Sequence, residues 1–376
     1  MPDQAGAVTG RYTDLALTVA YAGGGVAGTV LYMKMAEATA KEFRVGHQVL
    51  LRDASDYTVD VNAKVLARGL NGASSYITVK LLEADDNSAF AHTLVHCDRV
   101  IIIGSIHPEG AVMPTGVTYD PTKYTNYTQI MRTPLSITRT ARLTKLRTGD
   151  AYREMKREAL ELHGLEMEKN FLFSIKTEGV GDNGKPERTT GGILWFLRQY
   201  VPANVNDFSL NAAYSGKDWL DVGGGKHWMD AYTEQLFRYG AGEKLCLCGS
   251  GAILGLNRLA EAGAHMELTP MTTSYGIKVT EWRTPFGSLY LKNHPLMSVE
   301  TTTRYGMLLL EPKNLIYRYI TDTTFYGEGE SRQTAQGTNA NRKDGTDEEY
   351  LTECGLELHH PDVFMFLNGV GVDNVV

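Results

Sequence analysis

Between residues 45 and 115 apolar and polar positions alternate with a period of two. VGHQVLLRD, TVDVNAKVLARG, YITVKLLE and HCDRVIIIGSI are rich in Val, Ile and Thr and bounded by turn residues, so each reads as a β-strand. Asn71-Gly72 lies between two of these runs, and Asn-Gly favours a tight hairpin with positive φ. The segment reads as a small β-rich unit, or one long β-tongue. Ahead of it, after a Gly-rich start, Val30 to Phe43 (VLYMKMAEATAKEF) reads as a short helix. After it, Val117 to Ala141 (VTYDPTKYTNYTQIMRTPLSITRTA) is polar, aromatic and broken by proline, which predicts an extended arm with short strands.

The spacing becomes helical at Asp150, a residue type that caps helix N-termini. Tyr152, Met155, Ala159 and Leu162 recur on one face of a helix over Ala151 to Phe173, and Leu165, Met167 and Phe171 widen its apolar surface. At 1.5 Å per residue it would be roughly 35 Å long. Arg157 and Glu161 stand four apart on another face. Gly164 weakens the helix by about 1 kcal/mol and marks a bend or a close contact.

Helix and strand then mix, predicting an α+β chain. KHWMDAYTEQLFRYG and GSGAILGLNRLAEAG read as helices, and KLCLCG, YGIKVTEWRT and GSLYLKNH as strands. MLLLEPKNLIYRYI is a strand, a proline turn and a second strand. Gly327 to Glu349 holds no apolar residue larger than alanine and reads as a mobile polar loop. The close, YLTECGLELHHPDVFMFLNGV, is two strands around a His-Pro turn, and no internal repeat is present.

The 376 residues suffice for one elaborate domain or two to three ordinary ones, and 43% hydrophobic content suits a packed core. A net charge of −7 argues against a dedicated nucleic-acid binder. No run of 18 apolar residues exists, and MPDQAGAVTGRYTD lacks the features of a signal peptide, so a cytoplasmic chain without a membrane span is expected. Cys97, Cys246, Cys248 and Cys354 are too sparse for a disulfide framework. Cys246 and Cys248 are read as strand residues facing apart, hence as plain buried thiols rather than a metal pair.

Two nucleotide-binding outlines fail. Gly179, Gly184 and Lys185 match G-x-x-x-x-G-K, but Pro186 replaces the Ser or Thr that would hold magnesium, and a helix rather than a strand leads in. The stretch reads as a helix exit and flexible connection. Gly23, Gly25 and Gly28 match G-x-G-x-x-G, with Asp53 further on, but hairpin-like strands follow where a Rossmann unit needs βαβ repeats. His92 and His96 are four apart without a zincin acid, and His359-His360 before Pro361 suits a turn. Ser250 lacks the glycine that a G-x-S-x-G elbow needs at Cys248. No catalytic, cofactor-binding or metal-ligating set is therefore assigned, and no enzyme or cofactor is expected. Tyr119, Tyr124 and Tyr127 call for burial, within the chain or in a neighbour.

The order of segments resembles the tailed-phage major capsid proteins of the Hong Kong 97 type, and more closely their SU10-like, domain-of-unknown-function branch. RVGHQVLL and RVIIIGSIHPEGA frame the tongue, TNYTQIMRTPLSITRTA forms the arm, and MKREALELHGLEMEKNFLF precedes PERTTGGILWFL. YGIKVTEWRTPFGSLYLKNHPLM, LLLEPKNLIYRYI and DEEYLTECGLELHHPDVFMFLNGV follow, so the likeness spans about residues 40–370. TNYTQI, RTTGG and LTECGLE are its most specific parts.

The resemblance implies an α+β, Hong Kong 97-like capsid fold with a long spine helix, an extended β-tongue, and peripheral and axial domains. Residues 1–44 become an N-terminal arm, 45–116 the extended loop, and 117–200 the peripheral domain with spine helix 150–173. Residues 201–300 become the axial domain, and 301–376 the return strands and C-terminus around loop 327–349. The implied function is self-assembly, as hexamers and pentamers, into an icosahedral shell enclosing double-stranded DNA in a virion built in the host cytoplasm. The implied partners are a separate scaffolding protein, a portal protein, a decoration protein where one exists, and DNA held by weak non-specific contact. No lysine–asparagine crosslink motif can be matched. The alternatives are a phage decoration or tail component, which would not need the long helix, and an oxidoreductase built on Gly23–Gly28.

Overall fold

The computed structural model describes residues 5–53, 60–85, 94–112, 123–144, 150–262, 267–274, 277–327 and 345–375. Two compact units divide the chain at residue 121.

The first unit is a seven-stranded antiparallel sheet. Its strands are β1 (Ala5–Ala7), β2 (Gly10–Tyr12), β3 (Val30–Lys34), β4 (His47–Arg52), β5 (Asp60–Gly69), β6 (Tyr76–Leu81) and β7 (Arg99–Ser105), in the order β1-β7-β4-β5-β6-β3-β2. One turn of helix, α1 (Glu37–Ala40), follows β3. The expected Val30–Phe43 helix is thus a strand and a single turn. Leu31 and Met33 alternate into the core, and that period of two outweighs the helical propensity of the stretch. Val49, Leu51, Val61, Ala63 and Val65 fill the same core, closed by Tyr21, Phe43 and Leu94. Residues 5–12 and 30–34, read from the sequence as part of an arm, furnish three strands of this sheet. The β5–β6 hairpin forms, but over six residues: Gly72 takes φ +51° and opens a 3-10 turn, and Ser75 Oγ accepts from Asn71 N at 2.8 Å.

The second unit holds two sheets, a hairpin and the long helix. β8 (Gln129–Thr138) leads to α2 (Arg139–Leu143) and then α3 (Ala151–Phe173). Asp150 caps α3 as expected, its carboxylate accepting from Tyr152 N at 3.0 Å. β9 (Thr177–Val180) and β10 (Pro186–Thr189) form the hairpin, and α4 (Ile193–Tyr200) follows. Next come β11 (Val205–Asp207), α5 (Gly225–Phe237), β12 (Glu243–Cys248), α6 (Ser250–Glu261), β13 (Glu267–Ser274), β14 (Ile277–Thr284) and β15 (Gly287–Asn293). The last elements are α7 (Pro295–Val299), β16 (Met307–Leu310), β17 (Leu315–Tyr326), β18 (Gly345–Leu358) and β19 (Met365–Asn368).

β17, β18 and β8 form a three-stranded antiparallel sheet, with α3 packed against β8 and β18. β18 begins at Gly345, so the end of the stretch read as a polar loop is strand; 328–344 lie outside the described residues. The mixed seven-stranded sheet runs β11-β19-β16-β12-β15-β14-β13, and takes in β16 and β19 from beyond residue 300. Both its faces are covered. Cys246, Leu289, Leu309 and Met365 meet Trp228, Met229 and Leu256 of α5 and α6 on one side. Leu245, Leu308, Leu310 and Phe366 meet Ile193, Phe196 and Leu197 of α4 and Leu172 of α3 on the other. Each such fully buried apolar side chain contributes about 1.5–3 kcal/mol.

Strand geometry corrects the cysteine reading. Residues two apart share a face, so Cys246 and Cys248 do not diverge: their sulfurs lie 3.3 Å apart in the core. Burial pushes the Cys246 thiol well up, as a desolvated small hydrophobe.

Candidate functional site: a three-segment junction and the long helix

TNYTQI, RTTGG and LTECGLE converge in the second unit. Asn126 Nδ2 shares its hydrogens among Thr190 Oγ1 (3.1 Å), Gly191 O (3.0 Å) and Leu356 O (2.8 Å). Its Oδ1 accepts from Tyr127 N at 2.9 Å and Gly191 N at 2.7 Å. Gln129 Oε1 accepts from Thr190 N at 3.1 Å. At Gly355 a Cβ would sit 2.7 Å from Tyr127 O, and at Gly192 it would sit 2.8 Å from Asn170 O. These backbones meet only because glycine stands there. The junction therefore fixes where the chain enters β8, where α4 begins, and where β18 passes beneath both.

Aromatics and cations line it. Tyr124 packs edge-on against Tyr200 at 4.8 Å. Tyr127 lies under Lys176 at 4.6 Å and Arg188 at 5.6 Å, and Lys176 Nζ donates to Thr125 O at 2.8 Å. These two tyrosines find contacts within their own chain; Tyr119 lies outside the described residues. A cleft of about 340 Å³ opens beside Tyr124, Tyr127 and Arg318. A larger one, about 610 Å³, separates β8 from the β9–β10 hairpin and is lined by Arg132, Asp182, Lys185 and Glu353.

The long helix is held by a buried histidine that the sequence reading passed over. His163 is 1% exposed. Its Nδ1 lies 2.8 Å from Thr133 Oγ1 on β8, and its Nε2 2.7 Å from Thr352 Oγ1 on β18. Thr352 Oγ1 lies in turn 2.9 Å from Thr323 Oγ1 on β17, so one chain of polar contacts crosses all three strands. Burial lowers the imidazole pKa, against a smaller opposing pull from Glu166. Tyr152 Oη donates to Glu348 Oε2 at 2.7 Å, and that bond with burial pushes the phenol up to about 12. His294 Nε2 lies 2.8 Å from Glu168 Oε1 and ties α3 to α7. The expected apolar face is only partly the buried one: Ala159 packs inward, but Leu162 is 55% and Leu165 42% exposed. His163 occupies the inner position because two hydroxyls satisfy it.

The nucleotide-like outlines resolve into turns. Gly179 lies on β9, and Gly184, at φ +69°, closes the hairpin tip, where Asn183 Oδ1 accepts from Lys185 N at 3.0 Å. Gly23 and Gly28 take φ +94° and +97° in a turn of the antiparallel first unit. Gly24 N and Tyr21 Oη both donate to Asp85 Oδ2, the first at 3.1 Å, and Leu94 N donates to Asp85 Oδ1. That turn grips a buried carboxylate of its own chain, and its antiparallel setting is not the parallel βαβ of a dinucleotide site. His96 sits in a 3-10 turn, and His92 lies outside the described residues. Ser250 opens α6, its N–H donating to Ser298 Oγ at 3.1 Å. His360 takes φ +49° and caps the Pro361–Val363 turn. Among the described residues no three metal-ligating side chains come together, and no helix is long and apolar enough to cross a membrane.

Residues 208–224 form a hydrogen-bonded loop with two apolar side chains outward. Trp219 is buried, its Nε1 donating to Gly255 O at 2.9 Å and its N to Asp373 Oδ1 at 2.8 Å. Asn374 Nδ2 donates to Phe208 O and Asn211 O, both at 2.8 Å. Leu210 and Val222 stand 69% and 94% exposed on this scaffold.

A curated relative, the major capsid protein of Pseudomonas phage PaMx41, is 26% identical over 280 residues, 72% of this chain and 66% of that protein's length. Among solved structures, the SrpI encapsulin of Synechococcus elongatus PCC 7942 aligns with a TM-score of 0.43 at 14% identity, covering 65% of this chain and 74% of its own. The satellite phage P4 procapsid aligns at 0.36 and 14% identity, covering 72% and 88%. The sequence model of the SU10 major capsid proteins matches residues 27–371. That match runs from the residues before β3 to those after β19 and takes in all three segments of the junction, so the chain belongs to the SU10 major capsid protein family.

Proposed function

We propose that this chain is the principal shell subunit of a tailed phage. Copies assemble as hexamers and pentamers into an icosahedral capsid of the Hong Kong 97 type around double-stranded DNA. The observation that carries this is the family match over residues 27–371. The α+β architecture supports it, with a seven-stranded antiparallel unit and a 23-residue helix laid on a three-stranded sheet. So do the exposed Leu210 and Val222, since apolar side chains left in water gain most from a neighbour's cover. The chain would serve as a structural part of the virion rather than as a catalyst.

On this reading residues 45–116 are the tongue, sharing its sheet with strands of the arm at 1–44; 117–200 are the peripheral domain and 201–300 the axial one; of 301–376, β17 and β18 return to the peripheral domain and β16 and β19 join the axial sheet. A separate scaffolding protein would guide closure, a portal protein would occupy one vertex, and a decoration protein could bind outside. The −7 charge suits a wall that contains DNA without gripping it.

The test is electron microscopy of the purified chain, alone and co-expressed with any scaffolding gene beside its own. Closed shells, tubes or hexameric and pentameric rings are expected. Persistent monomers in the presence of the scaffold would overturn the reading.

A further inference from the structure

Three Asn-Gly pairs stand in the chain, at 71–72, 183–184 and 368–369. The pair is chemically distinctive because the backbone nitrogen after an asparagine can attack its carboxamide, and glycine there leaves the approach unhindered. The fold puts the three in different surroundings.

Asn368 ends β19. Its Nδ2 donates to Asp207 Oδ2 at 2.6 Å, Gly369 is buried, and a Cβ on Gly369 would sit 2.5 Å from Asp207 Oδ1. That crowding opposes closure of a five-membered ring. Asn183 stands at the exposed tip of the β9–β10 hairpin, but both reacting groups are engaged. Its Oδ1 accepts from Lys185 N at 3.0 Å, and Gly184 N donates to Gly181 O at 2.9 Å.

Asn71 differs on each count. It lies in the turn between β5 and β6, where both it and Gly72 are exposed. Among the described residues its carboxamide has no hydrogen-bond partner. At Gly72 a Cβ would meet nothing within 4 Å. Gly72 N donates to Glu37 Oε2 at 3.0 Å, so a carboxylate already lies on the proton that the attack must release. Lys41 Nζ, 2.8 Å from Glu37 Oε1, keeps that carboxylate charged. Closing the ring swings the Asn71 carbonyl and breaks one backbone bond, from Ser74 N at 2.9 Å.

We propose that Asn71 is a site of spontaneous covalent change, in which Gly72 N attacks Asn71 Cγ with Glu37 as the base. The N–Cγ bond forms and the Gly72 proton passes to Glu37. The Cγ–Nδ2 bond then breaks, Nδ2 takes that proton, and ammonia leaves. Water opens the cyclic imide at either carbonyl, giving aspartate or isoaspartate. Isoaspartate adds one atom to the main chain of the turn, and both products put a second carboxylate beside Glu37. Water is the sole co-reactant, so the change marks the age of the chain, whether free or in a shell. The inference stands apart from the shell reading.

The experiment is prolonged incubation of the full, folded chain at mildly alkaline pH, followed by peptide mapping. The aspartate and isoaspartate peptides are each about 1 Da heavier than the parent and separate from each other by chromatography. Conversion at Asn71 is expected to outrun that at Asn183 by about tenfold, since two bonds rather than one must break there. Asn368 is expected to stay unchanged. In urea all three are expected to convert at similar rates, which assigns the difference to the fold. Glu37→Gln is expected to slow Asn71 severalfold and to leave Asn183 as it was. Should that variant lower the unfolding midpoint, the pH profile of the wild type carries the test. A base held in place makes the rate at Asn71 climb less steeply with pH in the folded chain than in urea. Equal conversion at Asn71 and Asn183 in the folded chain overturns the proposal. So does a wild-type rate in a stably folded Glu37→Gln, or the same pH slope folded and unfolded.

Discussion

Asn126 joins three stretches of chain through one carboxamide, so Asn126→Ala removes five hydrogen bonds at once. Two of its partners, Gly191 N and Leu356 O, have little room to find water. A loss of roughly 2–4 kcal/mol is expected in urea unfolding of the unassembled chain, against under 1 kcal/mol for the exposed Asn257→Ala. His163 gives a second expectation, in pH. Burial lowers its folded pKa, so the folded chain binds this proton less readily than the unfolded one. The stability it supports is present above about pH 6.5 and is lost as pH falls below that value. Glu166, the threonine hydroxyls and the Tyr350 ring are the groups that face it. The unfolding midpoint should drop between pH 7.5 and 5.5 more steeply in the wild type than in His163→Gln; equal slopes would sink this account.

At the scale of elements, α3 is where reading and structure agree best, and the reason is physical. A capping aspartate and a long helical repeat are local signals, and they placed both ends of the helix correctly. Which of its faces is buried is a tertiary matter. Leucines at 162 and 165 looked inward by hydrophobicity, but a histidine with two hydroxyl partners took the inner position. β3 went astray because Met, Ala, Lys and Glu favour helix locally, while pairing with β6 decides the outcome. β9 and β10 were hidden because TEGV and PERT carry no apolar alternation. The junction was legible only as three persistent segments; nothing local to Asn126 announced that residues 65 and 230 positions away would meet it. Gly164→Ala tests the helix alone. With open space at the Cβ, it should stabilise the unassembled chain by about 1 kcal/mol, read from its urea midpoint.

At the scale of the molecule, each of the two compact units has its own hydrophobic core among the described residues. Asp85→Ala strips the acceptor from Tyr21, Gly24 and Leu94 in the first unit. Hydrogen exchange should then quicken by an order of magnitude or more in β3 to β7 and stay unchanged in β12 and β16. Faster exchange in both would mean that the units unfold as one. This division also bounds what sequence reading could reach. Strands β4 to β7 of the first unit show in their alternation, whereas β1 to β3 do not, and the second unit is assembled from segments far apart in the chain.

The stitch made by Asp373 and Asn374 has a consequence for synthesis. These residues leave the ribosome more than 150 positions after the loop they fasten. At 5–20 residues per second that is a delay of roughly 8–30 s. β19, made in the same interval, is the strand that joins β11 to the rest of its sheet. Until it arrives, the loop bearing Leu210 and Val222 lacks its ties to Asp373 and Asn374, and β11 lacks its neighbouring strand. A prematurely terminated chain would thus lack a finished surface to offer, and would be left out of a growing particle rather than built into it as a defect.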